Sequence, residues 1–147
     1  KFFTNKDEVE LNLPVFSYEK FKIGAMFGFE AHFDAAWAYM ARKKVDAVVV
    51  PTACTFFSES RWEELLKTRA FTNNVYVLRV NRVGNHKAAS GEQWSFYGDS
   101  MLISPFGEVV SRLGKNEEMM VAKLEKTELA QARHLWGFSQ ILHKRLG

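Results

Sequence analysis

Cysteine is almost absent from the sequence, with Cys54 the single one among 147 residues. One thiol cannot form an internal disulfide, so the chain is not a small secreted domain held by disulfides, and we expect a reducing, cytoplasmic location. The 4 histidines show no metal-ligand spacing, and no glycine-rich phosphate loop is present. We therefore predict no metal site.

Long apolar runs and a strong charge imbalance are also missing. No run reaches the roughly 20 residues of a membrane-spanning helix, and the N-terminal stretch lacks a small-residue cleavage site, so we expect neither a membrane protein nor a signal peptide. The 20 Lys and Arg against 17 Asp and Glu leave a net charge of +3. Because the two signs alternate along the chain, no basic stripe forms, and nucleic acid is not an expected partner.

The hydrophobic content is 47%, enough for one packed core in a chain of 147 residues. No change of composition marks a linker, so we predict that residues 1–147 belong to one domain. The first residue is Lys1 rather than Met. We expect a further segment upstream of it.

Apolar patterning predicts an α/β fold. Its first half contains a hairpin of Leu13–Tyr18 and Phe21–Phe27, then a helix over Phe33–Lys43, a buried strand at Ala47–Pro51 and a helix from Ser58 or Ser60 to Asn73–Asn74. A strand, a helix and a second strand in this order imply parallel neighbours.

The second half reads as short strands followed by a helix. We predict strands at Val75–Val80, Trp94–Tyr97, Ser100–Ser104, Glu108–Leu113 and Met119–Leu124, with a loop at Asn85–Glu92. The strands from Trp94 onward would form an antiparallel meander. A last helix is predicted over Glu125–Leu135, and residues 136–147 form a tail whose large apolar side chains need a surface to cover.

The turn at Gly28 is the most informative local feature. A short apolar strand, a tight turn and a helix can raise one reactive side chain above a sheet. Glycine suits such a tight turn because it reaches positive φ without a Cβ clash, and a backbone requirement of this kind is one interpretation of Gly28. Glycine has, however, no side chain with which to attack a substrate. The scaffold and the chemistry are therefore separate questions.

Four sequence blocks carry a family resemblance. They are Lys22–Glu30 with Phe33, Val50–Ala53, Trp62 with Arg69–Asn73 through Asn81–Gly84, and Phe96–Ser100 with Pro105–Gly107. In order and spacing they resemble the carbon-nitrogen hydrolase (nitrilase/amidase) superfamily over almost the whole chain. Four motifs in register rarely arise by chance.

The resemblance implies a four-layer α-β-β-α sandwich, of which this chain would be about the second, C-terminal half. It implies hydrolysis of a small amide, nitrile or carbamoyl substrate through a Glu-Lys-Cys site without a cofactor. It also implies a homodimer, and residues 136–147 fit a tail used in dimer contacts. We expect the missing N-terminal half, or a second copy of the chain, to cover the sheet face that the chain alone leaves open.

The departures from the family pattern concern the catalytic residues. Gly28 occupies the position of the nucleophilic cysteine. Lys1 is the candidate for the lysine that stabilises the oxyanion, and Glu8 or Glu10 is the candidate for the second glutamate. A charged surface strand explains Glu8 and Glu10 equally well.

Further candidates surround Gly28. Those expected to line a substrate pocket are Phe29, Glu30, Thr52, Ala53 and Cys54. Cys54 is interpreted either as a small core hydrophobe or as a substitute nucleophile, with His32 the nearest histidine in sequence. Glu30 either lines the pocket, or has a structural role as a helix cap or as the partner of a cation such as Arg69 or Arg82.

Two principal functions remain open from the sequence. One is a hydrolase of non-peptide carbon-nitrogen bonds, and the other is a non-catalytic relative that keeps the fold to bind a ligand or a partner. Gly28 favours the second directly. An unrelated α/β module would require the four blocks to be coincidence.

Overall fold

The computed structural model describes residues 11–137 and residue 141. The main feature is a six-stranded sheet in the order β1-β2-β3-β4-β7-β8. Its strands are β1 (Val15–Tyr18), β2 (Phe21–Ala25), β3 (Ala47–Thr52), β4 (Tyr76–Asn81), β7 (Met101–Ile103) and β8 (Val109–Arg112). The central strands β2, β3 and β4 are parallel, and the outer pairs are antiparallel.

Two helices connect the parallel strands. Helix α1 (Asp34–Arg42) joins β2 to β3, and α2 (Glu59–Asn73) joins β3 to β4. Their apolar sides pack on one face of the sheet, where buried side chains of both helices form a continuous core with alternate strand residues. This core includes Trp37, Met40, Leu66, Val48, Val50, Val77 and Ile103.

The opposite face of the sheet is covered only at one end by the described residues. There α3 (Lys126–Leu135) places Leu129 against Phe21, Ala47, Tyr76 and Leu102. Farther along the same face, Phe16 and Val80 remain 52% and 46% exposed. An apolar sheet face of this kind normally packs against a second layer.

Several predictions for the first half are confirmed. The hairpin forms between β1 and β2 with Tyr18 opposite Phe21, and both central helices lie within about one residue of their expected bounds. Ser58 does occupy the N-cap position of α2, but its side chain makes no capping bond. The hydroxyl instead donates to the Phe56 carbonyl and contacts the Tyr97 hydroxyl at 3.0 Å.

The predicted meander is wrong in two places. The strand β6 (Gln93–Tyr97) pairs with β5 (Val83–Lys87) in a separate two-stranded sheet, which shortens the expected loop at Asn85–Glu92. Met119–Leu124 is not a strand. Met119 and Val121 are each 87% exposed, so their alternation does not reflect a buried sheet face.

Candidate functional site

A cavity of about 870 Å³ opens where β2 and β3 end, beside the first turns of α2. Because the parallel strands β2 and β3 point the same way, their carboxyl ends meet at one edge of the sheet, the usual place for ligands in α/β folds. The lining residues are Phe27, Gly28, Phe29, His32, Pro51, Thr52, Ala53, Cys54, Phe56, Ser58, Arg61, Trp62 and Leu65.

Gly28 lies on the wall of this cavity in an ordinary backbone conformation. Its N–H donates to the Pro51 carbonyl at 3.1 Å, which extends the contact between β2 and β3 beyond the last ladder pair. Its carbonyl accepts a 2.9 Å hydrogen bond from Nδ1 of His32. Gly28 is not among the glycines with positive φ, so the backbone requirement expected of a glycine at this tight turn is not seen.

Packing, rather than backbone conformation, explains the glycine. A Cβ at position 28 would lie 2.7 Å from Cγ2 of Thr52 and 3.0 Å from Cη2 of Trp62. Carbon atoms in contact normally lie about 3.5 to 4.0 Å apart. The place where a nucleophile's side chain would begin is therefore occupied by two neighbouring side chains.

Thr52 is fixed by hydrogen bonds on its hydroxyl. Oγ1 donates to Oδ1 of Asn81 at 2.8 Å and accepts from Nε of Arg79 at 3.2 Å. Asn81 Oδ1 also accepts from the backbone N–H of Cys54 at 3.1 Å, and its amide group donates to the Gly98 carbonyl. Asn81 thus links the end of β3 to the loop that follows it.

Arg79 contacts two of the lining residues, Thr52 and Trp62, and is itself 0% exposed. Nη1 donates to the backbone oxygen and to Oδ2 of Asp99, both at 3.1 Å, and Nη2 donates to the Tyr97 hydroxyl at 2.9 Å. The guanidinium also lies over the Trp62 ring, 5.0 Å from its centroid. A buried guanidinium is costly unless paired and hydrogen-bonded, and here it has both kinds of partner.

Two titrating groups around Arg79 are shifted mainly by burial. Burial raises the pKa of Asp99, while the positive charges of Arg112 and Arg79 act in the opposite direction. Burial also raises the pKa of Tyr97, against the hydrogen bonds from Ser58 and Arg79. Tyr97 therefore stays a neutral phenol at physiological pH and serves as a hydrogen-bonding group.

Most of the predicted pocket residues meet around this cavity. Phe29, Thr52, Ala53 and Cys54 line it together with Gly28, and Cys54 is half-buried. The functional roles of these residues stay predictions.

Glu30 is not among the lining residues and lies in a 3-10 turn, where its Oε2 is buried without a hydrogen-bond partner in the described part of the chain. Its expected pairing is not seen. Arg69 binds Asp34 at 2.7 Å, and Arg82 lies over the Phe96 ring. The catalytic candidates Lys1, Glu8 and Glu10 lie outside the described residues.

Sequence reasoning missed Arg79 and Arg61. Arg61 lines the cavity from the first turn of α2. The sequence did contain a sign of the role of Arg79, which is a charged residue in the middle of the otherwise largely apolar strand Tyr76–Asn81. If such a side chain points inward, it requires a buried partner. Within residues 11–137, no cluster of His, Cys, Asp and Glu could hold a metal ion. No helix of the described part is long and apolar enough to cross a bilayer.

Comparisons with known proteins place this geometry in a family. The carbon-nitrogen hydrolase family model matches residues 2–134. A deaminated glutathione amidase from Synechocystis sp. is 27% identical over 122 residues, which are 82% of this chain and 43% of that protein. An omega-amidase from Xenopus laevis is 29% identical over 123 residues, covering 83% of this chain and 43% of that protein.

A solved structure shows the same fold. The carbon-nitrogen hydrolase from Helicobacter pylori G27 is similar with a TM-score of 0.76 at 23% identity, over 82% of this chain and 45% of that chain. The nitrilase-like fold is thus confirmed, and the six-stranded sheet with α1 and α2 on one face is the part of it described here. The chain spans less than half the length of these proteins. By the family match over most of its length, the chain belongs to the carbon-nitrogen hydrolase family.

Proposed function

We propose that the protein binds a small amide or related acyl-nitrogen compound in this cavity without forming a thioester at residue 28. One observation carries the proposal: position 28 is a glycine on the cavity wall, and a Cβ there would lie 2.7 Å from Thr52 Cγ2. A covalent path through this residue therefore has neither a nucleophile nor space for one.

The cavity suits a small organic ligand. Its volume of about 870 Å³ falls within the usual range for small-molecule sites, roughly 300 to 1,000 Å³. Exposed aromatic side chains of Phe27, Phe29 and Phe56 line it, together with the polar residues His32, Ser58 and Arg61. An apolar wall with few polar groups provides burial for the ligand's carbon atoms and orientation for its amide.

A second candidate is hydrolysis of a small amide, nitrile or carbamoyl compound, favoured because the relatives described above are named amidases. In a thiol route, the thiolate adds to the carbonyl carbon, the C–N bond breaks as the amine leaves with a proton, and water then cleaves the thioester. Cys54 is the thiol that lines the cavity. Lys1 with Glu8 or Glu10 would supply the oxyanion and proton-transfer groups of such a site.

The assembly is also a proposal. The open sheet face carrying Phe16 and Val80 supports a second sheet supplied by the rest of a longer protein. The short span relative to the amidases supports it as well. We further propose a homodimer in the cytoplasm, with the tail after Leu135 contributing to the dimer contact.

Full-length protein distinguishes the two functions. Ammonia release would be measured with a panel of short aliphatic amides, nitriles and N-carbamoyl amines, in the wild type and in Cys54→Ser. Binding would be measured as protection of Cys54 from iodoacetamide, quantified by peptide mapping. Denatured protein, in which the same compound cannot protect, is the control.

We expect saturable protection of Cys54 without ammonia release. Turnover that disappears in Cys54→Ser would establish the second candidate instead. The absence of both protection and turnover across the panel would contradict the proposal that the cavity takes this class of ligand.

A further inference from the structure

The closure of position 28 depends on two side chains that reach it from different elements. Thr52 is the last residue of β3, and Trp62 lies in the first turns of α2. A Cβ at residue 28 would lie 2.7 Å from Thr52 Cγ2 and 3.0 Å from Trp62 Cη2. Whether a larger residue can be accommodated is decided by how freely these two groups can withdraw.

Thr52 cannot rotate away without losing hydrogen bonds. Its Oγ1 is held by Asn81 at 2.8 Å and by Arg79 at 3.2 Å. Since Oγ1 and Cγ2 are attached to the same Cβ, fixing the hydroxyl also fixes the direction of the methyl group. The methyl group therefore stays directed at Gly28.

Trp62 is held from two sides. The Arg79 guanidinium lies over its ring with the centroid 5.0 Å away, and the His32 ring meets it edge-on at a centroid distance of 5.0 Å. Trp62 is only 8% exposed. His32 also holds the Gly28 carbonyl at 2.9 Å, so the indole has little room to move along the cavity wall.

Arg79 is common to both contacts and is itself immobilised. Nη1 is bound to Asp99 and Nη2 to the Tyr97 hydroxyl, which leaves Nε directed at Thr52. A shift of the guanidinium would break a buried ion pair. Because the ion pair with Asp99 fixes Arg79, Arg79 in turn holds Thr52 and Trp62 in place beside residue 28.

We propose that Arg79 is a positioning residue that holds Thr52 and Trp62 against Gly28 and keeps this part of the cavity closed to any side chain. This inference rests on the proposed function, because it explains why the cavity would bind without covalent chemistry at residue 28. It implies that Gly28→Cys alone does not restore a reactive site, whereas removing one methyl group from Thr52 as well provides the space.

The first test compares Gly28→Cys alone, with Thr52→Ser and with Thr52→Val in the full-length protein. Serine keeps the hydroxyl and removes only Cγ2, while valine keeps the Cγ2 methyl at nearly the same volume. The readouts are the iodoacetamide alkylation rate at position 28, by peptide mapping, and Tm. We expect Gly28→Cys to lower Tm by about 4 °C or more, from overpacking.

With Thr52→Ser, Tm should recover and alkylation at position 28 should rise by about tenfold over Gly28→Cys alone, as expected when local opening is no longer required. Thr52→Val keeps the methyl group and should not restore Tm. If Gly28→Cys prevents folding, Gly28→Ala with and without Thr52→Ser provides the same comparison through Tm. Equal Tm for the wild type and Gly28→Ala would overturn the closure.

The second test addresses Arg79. In the Gly28→Cys background, Arg79→Lys keeps a positive charge for Asp99 but lacks the Nε donor to Thr52 and the planar face over Trp62. We expect alkylation at position 28 to increase about tenfold. Asp46→Asn, which disturbs a buried ion pair away from the cavity, is the matched control and should leave the rate unchanged.

Equal rates in Arg79→Lys and Asp46→Asn would overturn the positioning role, since general destabilisation would then explain both. These rates do not depend on the proposed ligand class. A wild type that binds no amide would contradict the proposed function while leaving this closure intact. Rapid alkylation in Gly28→Cys alone would contradict the closure while leaving ligand binding intact.

Discussion

Asp46 Oδ1 accepts a 3.0 Å hydrogen bond from Nη1 of Arg133, a contact that spans 87 positions of the chain. Oδ2 accepts from Lys126 Nζ at 2.6 Å and from the Lys22 backbone N–H at 2.8 Å. Asp46 is only 4% exposed. The carboxylate just before β3 therefore fastens α3 to the beginning of the parallel strands.

Replacing Asp46 should weaken the attachment of α3 to the sheet. We expect Asp46→Asn to lower the free energy of unfolding by about 2 kcal/mol, because Lys126 and Arg133 lose a shared, largely buried anion. Urea unfolding of the full-length protein measures the loss. Lys123→Gln removes the exposed pair of Lys123 with Glu125 and should cause no measurable change. A similar effect of both variants would contradict the role of Asp46.

The same carboxylate should contribute to acid lability. Burial alone would raise the pKa of Asp46, but hydrogen bonds from Lys126, the Lys22 N–H and Arg133 outweigh it and hold this pKa below its ordinary value. A lowered folded-state pKa contributes stability above the unfolded value, about 3.9, and loses it as the pH falls through the folded value.

We therefore expect the wild type to lose stability as the pH falls below about 5, and Asp46→Asn to show a shallower loss. Unfolding free energies measured from pH 7 to pH 2.5 provide the comparison. Asp99 has a raised pKa, so its contribution has the opposite sign and cannot produce this acid loss. Parallel pH profiles for the wild type and Asp46→Asn would argue against the assignment.

Removing Arg79 should leave the buried Asp99 carboxylate with one fewer positively charged partner. We expect Arg79→Met to destabilise the protein by about 3 kcal/mol, although Arg112 remains near the carboxylate at 3.3 Å. The double variant Arg79→Met with Asp99→Asn should recover part of this loss, because the uncompensated charge is gone. A double-mutant cycle by urea unfolding tests the coupling, and strictly additive losses would refute it.

The partly exposed sheet face should be covered in the full-length protein. Val80 is 46% exposed on this face, and Val121 is 87% exposed outside the sheet. We expect Val80→Lys to lower the unfolding free energy of the full-length protein by about 2 kcal/mol or more, because the charge would be buried. Val121→Lys should stay within about 0.5 kcal/mol. A neutral Val80→Lys would show that the face stays open to solvent.

The parallel centre of the fold could be predicted from the sequence alone. The continuous apolar run before Pro51 predicts a buried strand, and the helical spacing of Trp37 and Met40 predicts a helix with one buried side. In the structure, side chains of both elements lie in the same core. Such patterns predict secondary structure well, because every position that faces the core requires an apolar side chain.

The edges of the fold were harder to predict because pairing decides them. Strand β5 contains Gly84, Asn85 and His86, which have little intrinsic preference for strands, and it forms by pairing with β6. Met119–Leu124 has the composition of a strand but lies outside the sheet. Local composition does not report whether a partner strand is available.

The turn at Gly28 indicated where the cavity lies, but the crowding around residue 28 could not be predicted from the sequence. The contacts of residue 28 with Thr52 and Trp62 join positions 24 and 34 residues apart, and Arg79 approaches both from a third element. Sequence spacing does not encode side-chain distances of this kind. They depend on how β3, α2 and β4 pack together.

The close packing at position 28 also determines in which order residues 28 and 52 can be replaced. Because the Gly28 backbone lacks positive φ, the obstacle to a larger residue is the Thr52 methyl and the Trp62 ring rather than the main chain. Shortening residue 52 first leaves a small void, whereas enlarging residue 28 first creates a clash. We therefore expect the two positions to be epistatic: a larger residue at position 28 should be tolerated only after residue 52 has been shortened.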